Sequence, residues 1–185
     1  MKASSLISCV LLFALFSFLS SCNKYLDVSK SNSIPIRQGF FEFYHDSNLL
    51  IYKTNVILTR DTEKIYPKSF KIKVPKKLKY YEFKSSSDFA LYYDKGQVIF
   101  IKIDLDSKNA MNDTTYIPTR EQLNEFIQFK TSIGDGKYDI KKIPLYQESK
   151  SAIIQKGDAV ILLYNIHAEN YNQFFEYVNE FKFIN

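Results

Sequence analysis

The sequence predicts an α+β domain, a mainly antiparallel sheet with two helices packed on it, and three observations lead there. Apolar residues alternate over short runs from Gly39 onward, turn-forming residues separate those runs, and two later segments change to helical spacing.

Gly39 to Tyr44 and Leu49 to Leu58 are the first strand-like runs, with His45-Asp46-Ser47-Asn48 between them as a hairpin turn. Phe70 to Val74 and Lys79 to Phe83 follow. Phe89 to Tyr93 and Val98 to Leu105 flank Asp94-Lys95-Gly96-Gln97, which has the glycine that a tight turn wants. Ile99, Ile101, Ile103 and Leu105 share one face of the second run; the other face begins with Val98 and Phe100 and ends with Lys102 and Asp104. One face is therefore buried along its length and the other emerges into water. Ser151 to Gln155 is a further run, and Ala159 to Ile166, introduced by the turn Lys156-Gly157-Asp158, is apolar on both faces and reads as a central strand.

Thr119 stands before Arg120-Glu121-Gln122 in a capping-box pattern, and Leu123, Phe126 and Ile127 then form a helical stripe that ends near Gly134-Asp135-Gly136. The second helix runs from about Glu169 to Phe181, with Tyr171, Phe174, Phe175, Val178 and Phe181 on one face and Asn172, Glu176, Asn179 and Glu180 on the other. Much of the aromatic content, 14 Tyr and 16 Phe with no Trp, falls at these periodicities and belongs to the core. Tyr80-Tyr81 and Tyr92-Tyr93 are adjacent pairs, so one member of each is expected to face away from it.

Ahead of the domain, Lys2 precedes an apolar stretch from Leu6 to Leu19, interrupted by Ser8 and Ser17 and followed by small residues. A membrane-crossing helix needs about 20 apolar residues, and this stretch is shorter, so it reads as an export signal that is removed. Its ending, Leu19-Ser20-Ser21-Cys22, resembles the lipobox of bacterial lipoproteins. That resemblance implies a signal peptide over 1–21, cleaved by signal peptidase II, and a mature chain whose Cys22 carries diacylglycerol on its sulfur and an acyl chain such as palmitate on its amine. Each buried methylene contributes about 0.8 kcal/mol, so two or three chains anchor firmly. An ordinary cleaved signal that leaves Cys22 as a free thiol is the alternative. Cys9 leaves with the leader, and no other cysteine remains for a disulfide, a metal or a nucleophile.

Asn23 to Arg37 is polar, with Ser29, Ser31, Asn32, Ser33 and Pro35, so 22–37 reads as a lipid-anchored flexible tether and 38–185 as a single α+β globular domain. Ser21 to Val28 is similar to the start of mature SusD-type glycan-binding lipoproteins, which implies an envelope setting and no binding residue. From Ser69-Phe70-Lys71-Ile72-Lys73-Val74-Pro75 to the closing helix, the pattern resembles the PsbP and Mog1 group of small α+β domains; this implies a fold and no activity.

Charge is uneven. Between residues 64 and 84, Lys64, Lys68, Lys71, Lys73, Lys76, Lys77, Lys79 and Lys84 face only Glu82. Lys68, Lys71, Lys73, Lys76, Lys77 and Lys79 form a candidate patch for an anionic partner such as lipid headgroups, acidic polysaccharide or an acidic protein. The competing account is a solvated strand face whose lysines resist edge pairing. Nucleic acid is disfavoured by the expected compartment.

No constellation nominates a catalyst. His45 and His167 are the only histidines, and neither has a second ligand at metal spacing. His167 ends the central strand just before the last helix, where active-site residues do occur, but no Gly-x-Ser-x-Gly elbow supplies a serine. Asp104-Leu105-Asp106-Ser107-Lys108-Asn109 fails as an EF-hand loop, since Lys108, Asn109 and Thr115 fall where an oxygen ligand, a glycine and a bidentate glutamate are required. The expectation is a non-enzymatic binding module without metal or cofactor, anchored in the cell envelope at the outer membrane and recognising a protein or glycan. An immunity lipoprotein that neutralises an interbacterial toxin is one alternative. An envelope hydrolase that uses His167 is another.

Overall fold

The computed structural model describes residues 32–36, 39–44, 47–55, 57–60, 62–85, 87–105, 112–131 and 147–184. Cys22, the leader, most of the tether, His45 and the Gly134-Asp135-Gly136 segment lie outside these residues.

Two antiparallel sheets form the body of the domain. The first comprises β1 (Asn32–Ile36), β2 (Gly39–Tyr44), β3 (Leu49–Lys53), β6 (Ser69–Lys73) and β13 (Lys182–Ile184), paired in that order. The hairpin of β4 (Leu58–Arg60) and β5 (Glu63–Ile65) projects between β3 and β6 in the chain. The second sheet begins with β7 (Tyr80–Ser85), β8 (Asp88–Tyr92), β9 (Val98–Ile103) and β10 (Thr114–Tyr116), and is completed by β11 (Ser149–Lys156) and β12 (Ala159–His167). Its order is β10-β11-β12-β9-β8-β7. Helix α1 (Arg120–Thr131) lies between β10 and β11 in sequence, and α2 (Ala168–Asn179) between β12 and β13. The α+β class and its antiparallel pairing follow the sequence pattern. The strands divide into two packed sheets because apolar alternation fixes each strand's buried face but not which strands share a sheet.

β1 occupies the last part of the stretch read as tether, pairing Ile34 with Phe41 and Pro35 with Phe40. An edge strand tolerates a proline because its outer side needs no donor. At Gly39 an added Cβ would lie 2.5 Å from the Lys53 carbonyl oxygen, so the β2–β3 contact admits no side chain there.

Phe41, Leu50, Tyr52, Phe70 and Ile72 from the first sheet meet Phe89, Leu91, Ile99, Ile101, Ile161 and Leu163 from the second in the main core. Its centre is aromatic: the Phe89 ring lies 4.9 Å from Tyr52, 5.2 Å from Phe70 and 5.6 Å from Phe41. Such pairs contribute about 0.5–1.5 kcal/mol each beyond the area they bury. The second sheet's other face carries a smaller cluster of Ala90, Tyr92, Val98, Phe100, Ile153, Leu162 and Tyr164, against which α1 packs Leu123 and Phe126. Both faces are buried over the middle of this sheet, so Tyr92 faces away from the main core, as an adjacent pair requires, yet is not solvated: it lies in the smaller cluster and Tyr93 in the main core.

Helix α1 begins as its capping box requires. The Gln122 amide N–H donates to Thr119 Oγ1 at 3.2 Å, and Gln122 Oε1 accepts from the Thr119 N–H at 2.9 Å. Helix α2 buries Phe174 and Val178 in the main core and touches β11 and β12 of one sheet and β6 of the other, so it closes one end of the sandwich. Its position depends on a bulge in β12, where Tyr164 and Asn165 together oppose Ser151. The extra residue shifts the alternation by one, which is how Ile166 joins Ile161 and Leu163 in the same core. Asn165 takes the left-handed conformation at φ 56°.

Candidate functional site

The structure divides the six candidate lysines. Lys68 is bonded to the Asp158 carboxylate, and its ammonium stands 5.2 Å over the Phe183 ring. Lys73 pairs with Glu180 at 2.9 Å and Lys79 with Asp94 Oδ1 at 2.9 Å. Lys71 points outward from β6, in register with Lys182 on β13 and Ile51 on β3. Lys76 and Lys77 are exposed in the turn after β6 and have no ionic partner among the described residues. The six thus lie in several places, three of them neutralised by acids that the run from 64 to 84 does not contain.

Lys76 and Lys77 stand at the mouth of a cleft of about 580 Å³. One wall is Asn48 with Pro75 and the two lysines, another is Asp94, Lys95 and Gln97 from the β8–β9 turn, and the third is the face of α2 bearing Glu169, Asn170, Gln173 and Tyr177. Tyr93 and Phe174 also line it, their rings 4.9 Å apart edge to face.

Buried amides hold the walls together. Gln97, 6% exposed, accepts through Oε1 from the His167 backbone N–H and from Asn170 Nδ2, both at 3.1 Å, and donates through Nε2 to the Asp94 carbonyl at 3.2 Å. Beneath the turn, Asn165 Nδ2 donates to the Gly96 carbonyl at 3.2 Å. These bonds join the turn to the start of α2, so the cleft is organised before anything enters it. Asn48 Nδ2 reaches the Tyr177 hydroxyl at 3.4 Å across the far side.

The cleft is net cationic. Lys95, like Lys76 and Lys77, has no acidic partner among the described residues; Asp94 is held by Lys79, and Glu169 remains, in the first turn of α2, where a helix favours a negative charge. Tyr93 is 5% exposed, and its hydroxyl makes no hydrogen bond among the described residues. Burial pushes its pKa far above the ordinary phenol value, so it stays protonated.

His167 ends β12, as the sequence places it, and occupies the N-cap position of α2 without a side-chain cap. It lines a neighbouring cavity of about 400 Å³ with Gln147, Glu148, Lys95 and Glu169; no serine or cysteine lines that cavity among the described residues. Also among the described residues, no three His, Cys, Asp or Glu side chains gather closely enough to hold a metal, and no helix is long and apolar enough to cross a membrane. Asp113 accepts from Lys156 Nζ at 2.9 Å and from the Gly157 N–H at 3.2 Å.

No motif in the sequence marks Lys95, Asn170, Gln173 and Tyr177 as site residues. Lys95 reads as an ordinary turn residue, and the polar side of α2 reads as solvated surface. The available signal was the density of amides at the start of that helix, Asn170, Asn172 and Gln173, where a solvated helix more often carries charges. No protein-family model, curated protein or solved structure matches this chain.

Proposed function

We propose that the protein is a lipid-anchored, non-enzymatic binding module of the cell envelope. The observation that carries the binding reading is the cleft between the β8–β9 turn and α2: an organised, polar, net-cationic concavity whose lining offers hydrogen-bond donors and cations. The anchoring half rests on Leu19-Ser20-Ser21-Cys22 behind its apolar leader.

Crosslinking of the full chain in intact cells, with identification of what is captured, tests the reading. Capture of an envelope component by wild type, lost or relocated in Cys22→Ala, supports both halves. Capture of a secreted toxin domain, with protection lost on deletion, redirects it to an immunity role. Palmitate labelling that persists in Cys22→Ala removes the anchor. Turnover of an envelope substrate that His167→Ala abolishes makes the protein a hydrolase and ends the non-enzymatic reading.

A further inference from the structure

We infer that the cleft between the β8–β9 turn and α2 binds a short acidic oligosaccharide, with Lys76, Lys77 and Lys95 facing its anionic groups. This inference rests on the binding-module reading and gives it a ligand class.

Three features converge on the cleft. The first is charge: three exposed lysines from two loops separated in sequence line one cleft, and none has an acidic partner among the described residues. Unpaired like charges repel one another and gain nothing for the free fold, so their gathering favours an anion that bridges them.

The second is backbone conformation. Five non-glycine residues have positive φ among the described residues, and three of them, Asn48 at 51°, Lys77 at 67° and Lys95 at 56°, line this cleft. A fourth, Asn165, supports its floor through Gly96. Asparagine tolerates this conformation, whereas lysine is disfavoured there and glycine would relieve it. Two lysines at such positions place their ammonium groups where the fold gains nothing from them, and strained residues of this kind cluster at ligand clamps.

The third is hydrogen-bonding capacity. Gln173, exposed on the wall formed by α2, has no partner among the described residues, and Asn170 and Tyr177 line the same wall. Amides and phenols spaced around a concave wall match the many hydroxyls of a sugar, and about 580 Å³ lies within the size range of small-ligand clefts. A folded protein partner would instead need roughly 800 Å² of its own surface covered, far more than this cleft offers.

The test uses the full chain in detergent, titrated calorimetrically with tetragalacturonate, a heparin-derived tetrasaccharide, maltotetraose and a short polyglutamate peptide. The acidic tetrasaccharides are expected to bind with Kd below about 1 mM at low salt, and to weaken at least about tenfold when salt masks the charges. Maltotetraose and polyglutamate should bind at least about tenfold more weakly. The triple variant Lys76→Gln, Lys77→Asn, Lys95→Asn keeps residues that tolerate the left-handed backbone and should lose about tenfold or more in affinity with its thermal midpoint preserved. Lys71→Gln with Lys182→Gln, the same kind of charge removed from an outer sheet face, should bind as wild type. Equal losses in the two lysine variants, a preference for polyglutamate, or no binding of either acidic tetrasaccharide overturns the assignment. If the triple variant still captures the wild-type partner in intact cells, the cleft assignment fails and the binding module stands. If wild type captures nothing and turns over a substrate, the underlying reading fails as well.

Discussion

The ammonium of Lys68 is bonded to the carboxylate of Asp158 and so joins the start of β6 in one sheet to the β11–β12 turn in the other. The Asp158 side chain is only 5% exposed and that of Lys68 52% exposed, so the acid bears most of the cost of losing the bond. Lys68→Met leaves a buried carboxylate without its cation. We expect a loss of about 2 kcal/mol, below the range for fully buried pairs because the lysine is half in water. The urea midpoint measures it, and Lys68→Met with Asp158→Asn should recover most of the loss. No change in the single variant would mean that water already serves the acid.

Asn165 is fully buried, left-handed and bonded to Gly96 through its side chain. Asn165→Ala loses both the conformational tolerance and the hydrogen bond, whereas Asn165→Gly loses only the bond. Expected costs are about 2–3 kcal/mol for alanine and about 1 kcal/mol less for glycine. The reverse order in chemical denaturation would show that the bulge does not depend on backbone strain.

Glu42 accepts from Lys53 Nζ at 2.9 Å and from the Tyr44 hydroxyl at 2.8 Å, and these two bonds, Lys53 first, hold its carboxyl below the ordinary value of 4.5. A lowered folded value gives stability that is complete above the ordinary value and lost as pH falls through the lowered one. Between about pH 5 and about pH 2 the thermal midpoint should therefore fall further in wild type than in Glu42→Gln. Parallel acid profiles would show that the pair contributes nothing, as many exposed ion pairs do.

Tyr93 has the opposite sign. Burial raises its pKa, so the neutral phenol stabilises the fold below its ordinary value of 10.0, and that contribution is lost as pH rises above it. Tyr93→Phe keeps the ring edge-to-face with Phe174 and removes a hydroxyl without a partner among the described residues. Its urea stability should match wild type or exceed it by up to about 1 kcal/mol, with a shallower decline above about pH 10. A clear destabilisation would reveal a partner for the hydroxyl.

Much of the fold is legible because it is local. Thr119 and Gln122 are three residues apart and cap the helix that their spacing predicts. Val98, Phe100 and Ile99, Ile101 announce a strand buried on both faces for most of its length. The partition of the strands into two sheets is not local: β6 lies between β3 and β13, and nothing in Phe70 to Val74 states that its second neighbour begins at Lys182. The site follows the same rule. The sequence places Lys76 and Lys77 in a cationic run, but the acids that neutralise Lys68, Lys73 and Lys79 stand at 158, 180 and 94. Lys95 replaces those three at the cleft through folding alone.

The pairing of β6 with β13 also carries a timetable. Phe70 opposes Phe183, so a strand made early in synthesis waits for more than a hundred further residues before its edge is covered. A chain emerges at roughly 5–20 residues per second, and long-range pairing is slow to close even once both strands are free. Until then the aromatic side chains of Phe41, Tyr52 and Phe70, which the finished core buries, stand beside an unpaired strand edge, the kind of surface that invites aggregation.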